Sequence, residues 1–310
     1  MTTLPPLFIE RLQNIIPAPY FDLSLESFSR TKVLSGRVNT LKDRPETIFR
    51  FFKEQHIEFS LIPWYEDAFM IHNLTQKEFN ELEFIKKGHI YQQSLSSMLI
   101  PIILDPKPGD SILDMCAAPG GKTSQMAALM KDQGILIALE NIRRRYYKLK
   151  AVLSLLKVQN ASCYCLDARR FQTRLFFDKI LIDAPCSCEG RFQAAQEKSF
   201  AFWSLRKIKE MQRKQRGLLF HGLGLLPPRG ILVYATCTFA PEENEEVINW
   251  ALQKMEGSVK LLPVKLAGAA VYPALRRWQD KIFHEDIQYC LRILPDQNME
   301  GFFAAKFMRI

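Results

Sequence analysis

The sequence predicts an α/β protein, a Rossmann-like domain on a mostly parallel sheet preceded by a small N-terminal α/β subdomain. Three observations carry this expectation. From residue 88 onward, short continuous apolar runs alternate with longer helical stretches, as in parallel strands covered on both faces. Acidic residues recur just beyond those runs, where ligands bind in such sheets. Residues 1–87 read differently, with scattered strand pieces, prolines and aromatics, so the boundary is placed between 87 and 88.

In the N-terminal part a helix is expected near Pro45–Gln55 and strands at Phe59–Ile62 and Phe69–Ile71. The run from Ser35 to Lys42 reads either as a strand and turn exposing Arg37, Asn39 and Lys42 or as part of a small α/β appendage with a solvated face. The regular part then reads in order: strand Ser111–Met115, helix Lys122–Lys131, strand Ile135–Glu140, helix Arg144–Leu156, strand Ala161–Leu166, strand Lys179–Asp183, helix Ser204–Leu225, strand Ile231–Ala235 and helix Glu242–Met255. Asp114, Glu140, Asp167, Asp183 and Thr236–Thr238 all fall at strand ends and should gather along one rim.

The 310 residues are 47% hydrophobic and carry a formal charge of +9, a balance that favours an anionic partner such as nucleic acid. The N-terminus lacks a basic stretch followed by an apolar run, so no secretory leader is expected. No apolar run approaches the ~20 residues of a membrane span. Seven cysteines, an odd number, argue for free thiols in a reducing compartment, and a cytoplasmic location is expected. They form no C-x-x-C pair, the five histidines are scattered, and no metal site is expected.

The segment Asp114-Met115-Cys116-Ala117-Ala118-Pro119-Gly120-Gly121-Lys122-Thr123 follows a strand and opens a helix, offering small side chains and free amides to a ligand. A phosphate loop would need glycine where Cys116 stands, and the dinucleotide spacing is absent. An S-adenosylmethionine loop fits better. Glu140, ending the next strand, is placed to accept hydrogen bonds from ribose hydroxyls, and Asp167, after the following strand, to meet the adenine. A helix cap is the alternative for each acid. Arg145 follows Glu140 on the next helix and belongs near the same ligand.

Asp183-Ala184-Pro185-Cys186-Ser187-Cys188 and Thr236-Cys237-Thr238 each place a cysteine at a strand end. Together with the 114–123 loop, Pro241-Glu242-Glu243-Asn244-Glu245, Tyr91-Gln92-Gln93-Ser94 and Gly301-Phe302-Phe303-Ala304-Ala305, they make the chain resemble the RNA cytosine-5 methyltransferases of the Nop2/Sun (NSUN/RsmB) family over residues 88–310. Arg37-Val38-Asn39-Thr40 resembles that family's N-terminal RNA-contacting subdomain. The resemblance implies that Cys237 attacks C6 of a cytosine, that Asp183 holds the base, and that Cys186 helps release the product. Lys122 is expected to lower the Cys237 pKa. The resemblance also implies an RNA partner, transfer or ribosomal, and a monomer is expected. Arg206, Lys209 and Arg213, on a basic helix, are candidate phosphate contacts alongside Arg37, Asn39 and Lys42. Two departures from the family pattern stand out. Asp296 follows Pro295 where a histidine is frequent, and Glu140 stands where aspartate is frequent. The alternatives are a DNA cytosine-5 methyltransferase, whose nucleophile would be Cys186, and a catalytically silent RNA-binding or ribosome-assembly factor.

Overall fold

The computed structural model describes residues 4–264 and 271–310; residues 1–3, at the start of the stretch read for a leader, lie outside the described residues. The chain forms two compact units. One contains residues 33–181. The other combines residues 4–32 with 182–264 and 271–310, so the units divide the chain elsewhere than at 87/88. Among the described residues no helix is long and apolar enough to cross a membrane.

Helices α1 (Pro6–Ile15) and α2 (Ala18–Ser27) each begin with a proline just ahead of or at the first turn, where a missing N–H costs nothing. Their buried aromatics place them with the later part of the chain. Phe8 packs on Phe28, Phe192 and Trp203, with centroids 5.6, 4.9 and 5.9 Å away, and Arg11 pairs with Glu242 at 2.7 Å.

The 33–181 unit opens with β1 (Leu34–Val38), α3 (Pro45–Glu54), β2 (Phe59–Ile62), β3 (Tyr65–Ile71), α4 (Gln76–Glu81), α5 (Glu83–Lys86) and β4 (Ile90–Gln92). The strands form an antiparallel sheet in the order β2-β3-β1-β4. Its core joins Val38, Ile48, Phe52, Phe69, Phe79 and Ile90. Then come α6 (Leu95–Leu104), β5 (Ser111–Asp114), α7 (Gly121–Leu129), β6 (Ile135–Leu139), α8 (Arg143–Leu155), β7 (Ala161–Tyr164) and β8 (Lys179–Asp183). These strands are parallel and adjacent in the order β7-β6-β5-β8. The order reverses between β5 and β8, the Rossmann-like arrangement expected. Asp114 ends β5, Glu140 follows β6 directly, and Asp167 comes three residues after β7, so these acids share one edge. The chain passes from one unit into the other within β8.

The second unit continues through α9 (Leu205–Leu225), β9 (Ile231–Thr236), α10 (Glu245–Lys254), β10 (Val259–Leu262), β11 (Val271–Pro273), the short pair β12 (Arg277–Trp278) and β13 (Lys281–Ile282), β14 (Leu291–Ile293) and β15 (Phe302–Arg309). Here β15 runs antiparallel to β9 on one side and to β10 and β14 on the other. The antiparallel C-terminal strands had no counterpart in the sequence reading. In β15, Phe302, Phe303 and Phe307 are wholly buried.

Candidate active site

In the 33–181 unit the site begins with Asp114. Its carboxylate accepts from the Thr123 hydroxyl at 2.7 Å and from the Cys116 amide at 3.3 Å, pinning both ends of the small-residue loop. The Ala117 amide donates to the Leu139 carbonyl at 2.9 Å, which fastens the loop to the end of β6. Gly120 takes a left-handed φ of 113°, a turn that glycine adopts without strain, and α7 begins at the next residue. Ala117, Ala118, Gly120 and Lys122 are buried, Cys116 and Gly121 half-buried, and Pro119 exposed. Glu140 is buried; one oxygen accepts from the Ile142 amide at 2.9 Å, and the other lies 3.3 Å from Arg145. Arg145 also donates to the Ala118 carbonyl at 2.8 Å, so it ties the acid to the loop. Asp167 caps a short 3-10 turn and accepts from Arg169, whose hydrogen bonds hold its pKa down. This is the helix-cap alternative realised.

Arg37 and Asn39 require a correction. Both were expected on an RNA-facing surface, and both are fully buried. Arg37 sits on the interior strand β1, opposite Ala68 and Tyr91. It donates to Gln93 at 3.0 Å, to the Gly121 carbonyl at 3.2 Å and to the Ser124 hydroxyl at 2.7 Å. Desolvation on this scale is tolerated only with such partners. The residue therefore braces the first turn of α7, next to Lys122. Asn39 donates to the carbonyls of Gly88 and Leu156, each at 2.9 Å. Lys42, half-buried, donates to the carbonyls of Lys87 and Leu155, complementing the α8 C-terminus. Arg206, Lys209 and Arg213 are exposed on α9, opposite the buried Ile208, Met211 and Leu218.

In the second unit the loops after β8 and β9 lie side by side, joined by the Ala184 amide donating to Ala235 at 2.9 Å. Cys186 and Cys237, 51 residues apart in sequence, bring their Sγ atoms to 3.4 Å. Cys188 joins them, 3.8 Å from Cys186. The Ser187 and Thr238 hydroxyls are 2.7 Å apart, and Thr238 donates to buried Glu189 at 2.8 Å. Burial pushes the Glu189 carboxyl up, while bonds from Trp203, Thr238 and Phe239 oppose it. The Gly190 amide donates to the Cys237 carbonyl at 2.9 Å, and a Cβ there would lie 2.2 Å from the Gly301 carbonyl oxygen. That backbone approach requires glycine.

The 241–245 segment forms the rear wall of this loop. Glu243 accepts from the Ser187 amide at 3.1 Å and from Gln215 at 2.7 Å, and burial pushes its carboxyl up to about 8. Asn244 accepts from Thr236 at 2.6 Å and donates to the Thr238 carbonyl at 2.9 Å, bracketing Cys237. Glu245 holds Arg292 at 2.7 and 2.6 Å, and the same guanidinium donates to the Phe239 carbonyl at 2.9 Å. Asp296, where the histidine was missing, accepts from the Asn298 and Met299 amides at 2.7 Å and turns the chain toward β15.

The electrostatics differ from expectation. The Cys186 hydrogen bond favours a Cys237 thiolate, yet the contact with Cys188 and burial outweigh it, and the Cys237 thiol is pushed up to about 11. Within its own unit the cation that Cys237 feels is Arg191, whose pKa is raised by Cys237 first and then by Glu300 and Asp183. Sequence reasoning missed Arg191. Its position just after the second cysteine loop was the available signal.

A family profile described as 16S rRNA methyltransferase RsmB/F matches residues 101–308. The chain belongs to the NSUN/RsmB family. This is a family of RNA cytosine-5 methyltransferases. Among its relatives, the tRNA (cytosine(49)-C(5))-methyltransferase of Pyrococcus abyssi is 36% identical over 89% of this chain and 88% of its own length. The Ribosomal RNA small subunit methyltransferase F of Vibrio parahaemolyticus is 35% identical over 79% of this chain, which spans only 52% of that longer protein. A methyltransferase homologue from Pyrococcus horikoshii of known structure superposes with a TM-score of 0.81 at 32% identity, covering 99% of this chain and all of its own.

Proposed function

We propose that this NSUN/RsmB member methylates carbon 5 of a cytosine in RNA with S-adenosylmethionine, using Cys237 as nucleophile and Cys186 in release. One observation carries the reading: two thiols from separate strand-end loops at 3.4 Å, on the side of the sheet where ligands bind. Cytosine C5 becomes nucleophilic only after addition at C6. Cys237 gives its proton to solvent and its thiolate forms the S–C6 bond, while the displaced electron pair moves through C4 to N3, which Asp183 protonates as it holds the N3–N4 edge. After C5 is methylated, Cys186, acting as thiolate, takes the C5 proton, and the electrons of that C–H bond restore the C5–C6 double bond as the S–C6 bond breaks. The raised Cys237 pKa means that the resting residue is a thiol, with the thiolate formed as the base binds and Arg191 offsetting its charge.

S-Adenosylmethionine supplies the electrophilic methyl group when bound. The donor set fits it: small residues 116–121 and the α7 amides for its amino-acid end, buried Glu140 for the ribose, and Arg145 to hold both in place. Lys122 and Asp183 complete the proposed cofactor and catalytic set. Asp167 would meet the adenine only by sharing its carboxylate with Arg169.

For the RNA we propose the exposed α9 face, Arg206, Lys209 and Arg213, with Phe202, 88% exposed just ahead of it, as a base-stacking surface. The 33–92 sheet stands as an RNA-binding subdomain in this reading, with Lys42 its remaining candidate contact. The near full-length match to a protein named for tRNA makes tRNA the first substrate to test, and ribosomal RNA the second. Incubation with labelled cofactor should label RNA. Cys186→Ala should accumulate a covalent protein–RNA adduct, and Cys237→Ala should give neither adduct nor product. An adduct that persists in Cys237→Ala and vanishes in Cys186→Ala would exchange the two roles.

A further inference from the structure

The catalytic reading uses two thiols, and the structure holds a third. Cys186, Cys188 and Cys237 bring their sulfurs within 4.8 Å of one another. Cys188 sits at φ 59°, ψ 28°, a left-handed backbone that suits glycine, and from there it turns its sulfur back onto Cys186. Cys186 and Cys188 are half-buried, so solvent reaches the cluster, while Cys237 forms its buried side.

We propose that Cys186, Cys188 and Cys237 form a three-thiolate site for a thiophilic divalent cation, zinc or cadmium in class. The spacing agrees with the chemistry: metal–sulfur bonds of about 2.3 Å in tetrahedral geometry put neighbouring sulfurs about 3.8 Å apart. Cys186 lies 3.4 Å from Cys237 and 3.8 Å from Cys188, sulfur to sulfur. A divalent ion with three thiolates carries one net negative charge, and Arg191, whose pKa is raised chiefly by Cys237, is the cation in place to offset it. Each thiol that ligates releases its proton to solvent. The fourth position is left to water. On the catalytic reading above, an occupied site withholds the Cys237 lone pair from C6, and methyl transfer stops until the ion is removed.

The test is made on the full-length, reduced protein without RNA or S-adenosylmethionine, so a failure of the catalytic reading leaves it legible. Cadmium is titrated in and the thiolate-to-cadmium charge-transfer absorbance is followed. One tightly bound equivalent is expected. Cys188→Gly, which relieves the left-handed backbone and so keeps the fold, should weaken binding at least about tenfold, the scale of lost metal-site support. Cys165→Ser, at an exposed thiol outside the cluster, should not change it. Absence of the band in folded protein overturns the proposal. So does binding that survives Cys188→Gly unchanged.

Discussion

Glu245→Gln tests whether the 241–245 segment holds the loop that carries Cys237. Glu245 and Arg292 are a buried bidentate pair, with side chains 0% and 4% exposed. One Glu245 oxygen accepts from Arg292 at 2.7 Å and from the Leu275 amide at 3.0 Å; the other accepts from Arg292 at 2.6 Å. Glutamine preserves the volume but must turn its NH2 toward a donor, which leaves a guanidinium buried without a counter-charge. Removing one partner of such a pair costs about 3–5 kcal/mol. At roughly 2–4 °C per kcal/mol for a unit of this size, the melting temperature should fall on the order of 10 °C. Urea unfolding followed by tryptophan fluorescence reads the loss, since Trp203, Trp250 and Trp278 all lie in this unit. Adding Arg292→Met should recover part of it, because the guanidinium left buried without a counter-charge is then gone. A single-variant loss below about 1 kcal/mol, or a double variant as unstable as the sum of its singles, would refute the argument.

Four further outcomes can be measured. Glu243 has a folded pKa of about 8 against an ordinary value of 4.5, so the folded protein binds the extra proton between those values. Stability should therefore fall as pH rises through that window, by a few kcal/mol in all, and Glu243→Gln should flatten the melting-temperature profile there. Gly190→Ala should destabilise by about 3 kcal/mol or more through its clash with the Gly301 backbone. Gly224→Ala, on α9 with open space around it, should instead stabilise by about 0.5–1 kcal/mol, measured in the same denaturation series. Neutralising Arg206, Lys209 and Arg213 should flatten the salt dependence of RNA binding by about 0.7–0.9 in log–log slope per lost phosphate contact, read by titration at several salt concentrations.

The parallel strands and the loops after them were legible because continuous apolar runs followed by small or acidic residues leave few other structures open. Arg37 was misread because a charged residue in a strand reads as exposed. Its burial depends on β1 lying between β3 and β4 and on Gln93 and Ser124 meeting it from far along the chain. The acids at 242–245 resemble an ordinary charged helix start, yet their partners Arg11, Gln215 and Arg292 come from three distant segments. The third thiol was visible only as a C-x-C pair. Chain spacing cannot show that Cys237 closes it into a cluster from 51 residues away.

The placement of α1 and α2 has a consequence for synthesis. These helices are made before the rest of their unit, and Arg11 meets its partner Glu242 only 231 residues later, while Phe8 waits for Phe192 and Trp203. The 33–181 unit can complete its own contacts while the ribosome is still extending the chain. The segment before it meets its partners only once residues 192–242 have emerged. Folding of the unit that carries Cys237 is thus a non-local closure of segments lying on either side of residues 33–181, and its slow step should be sensitive to changes at Phe8 and Arg11.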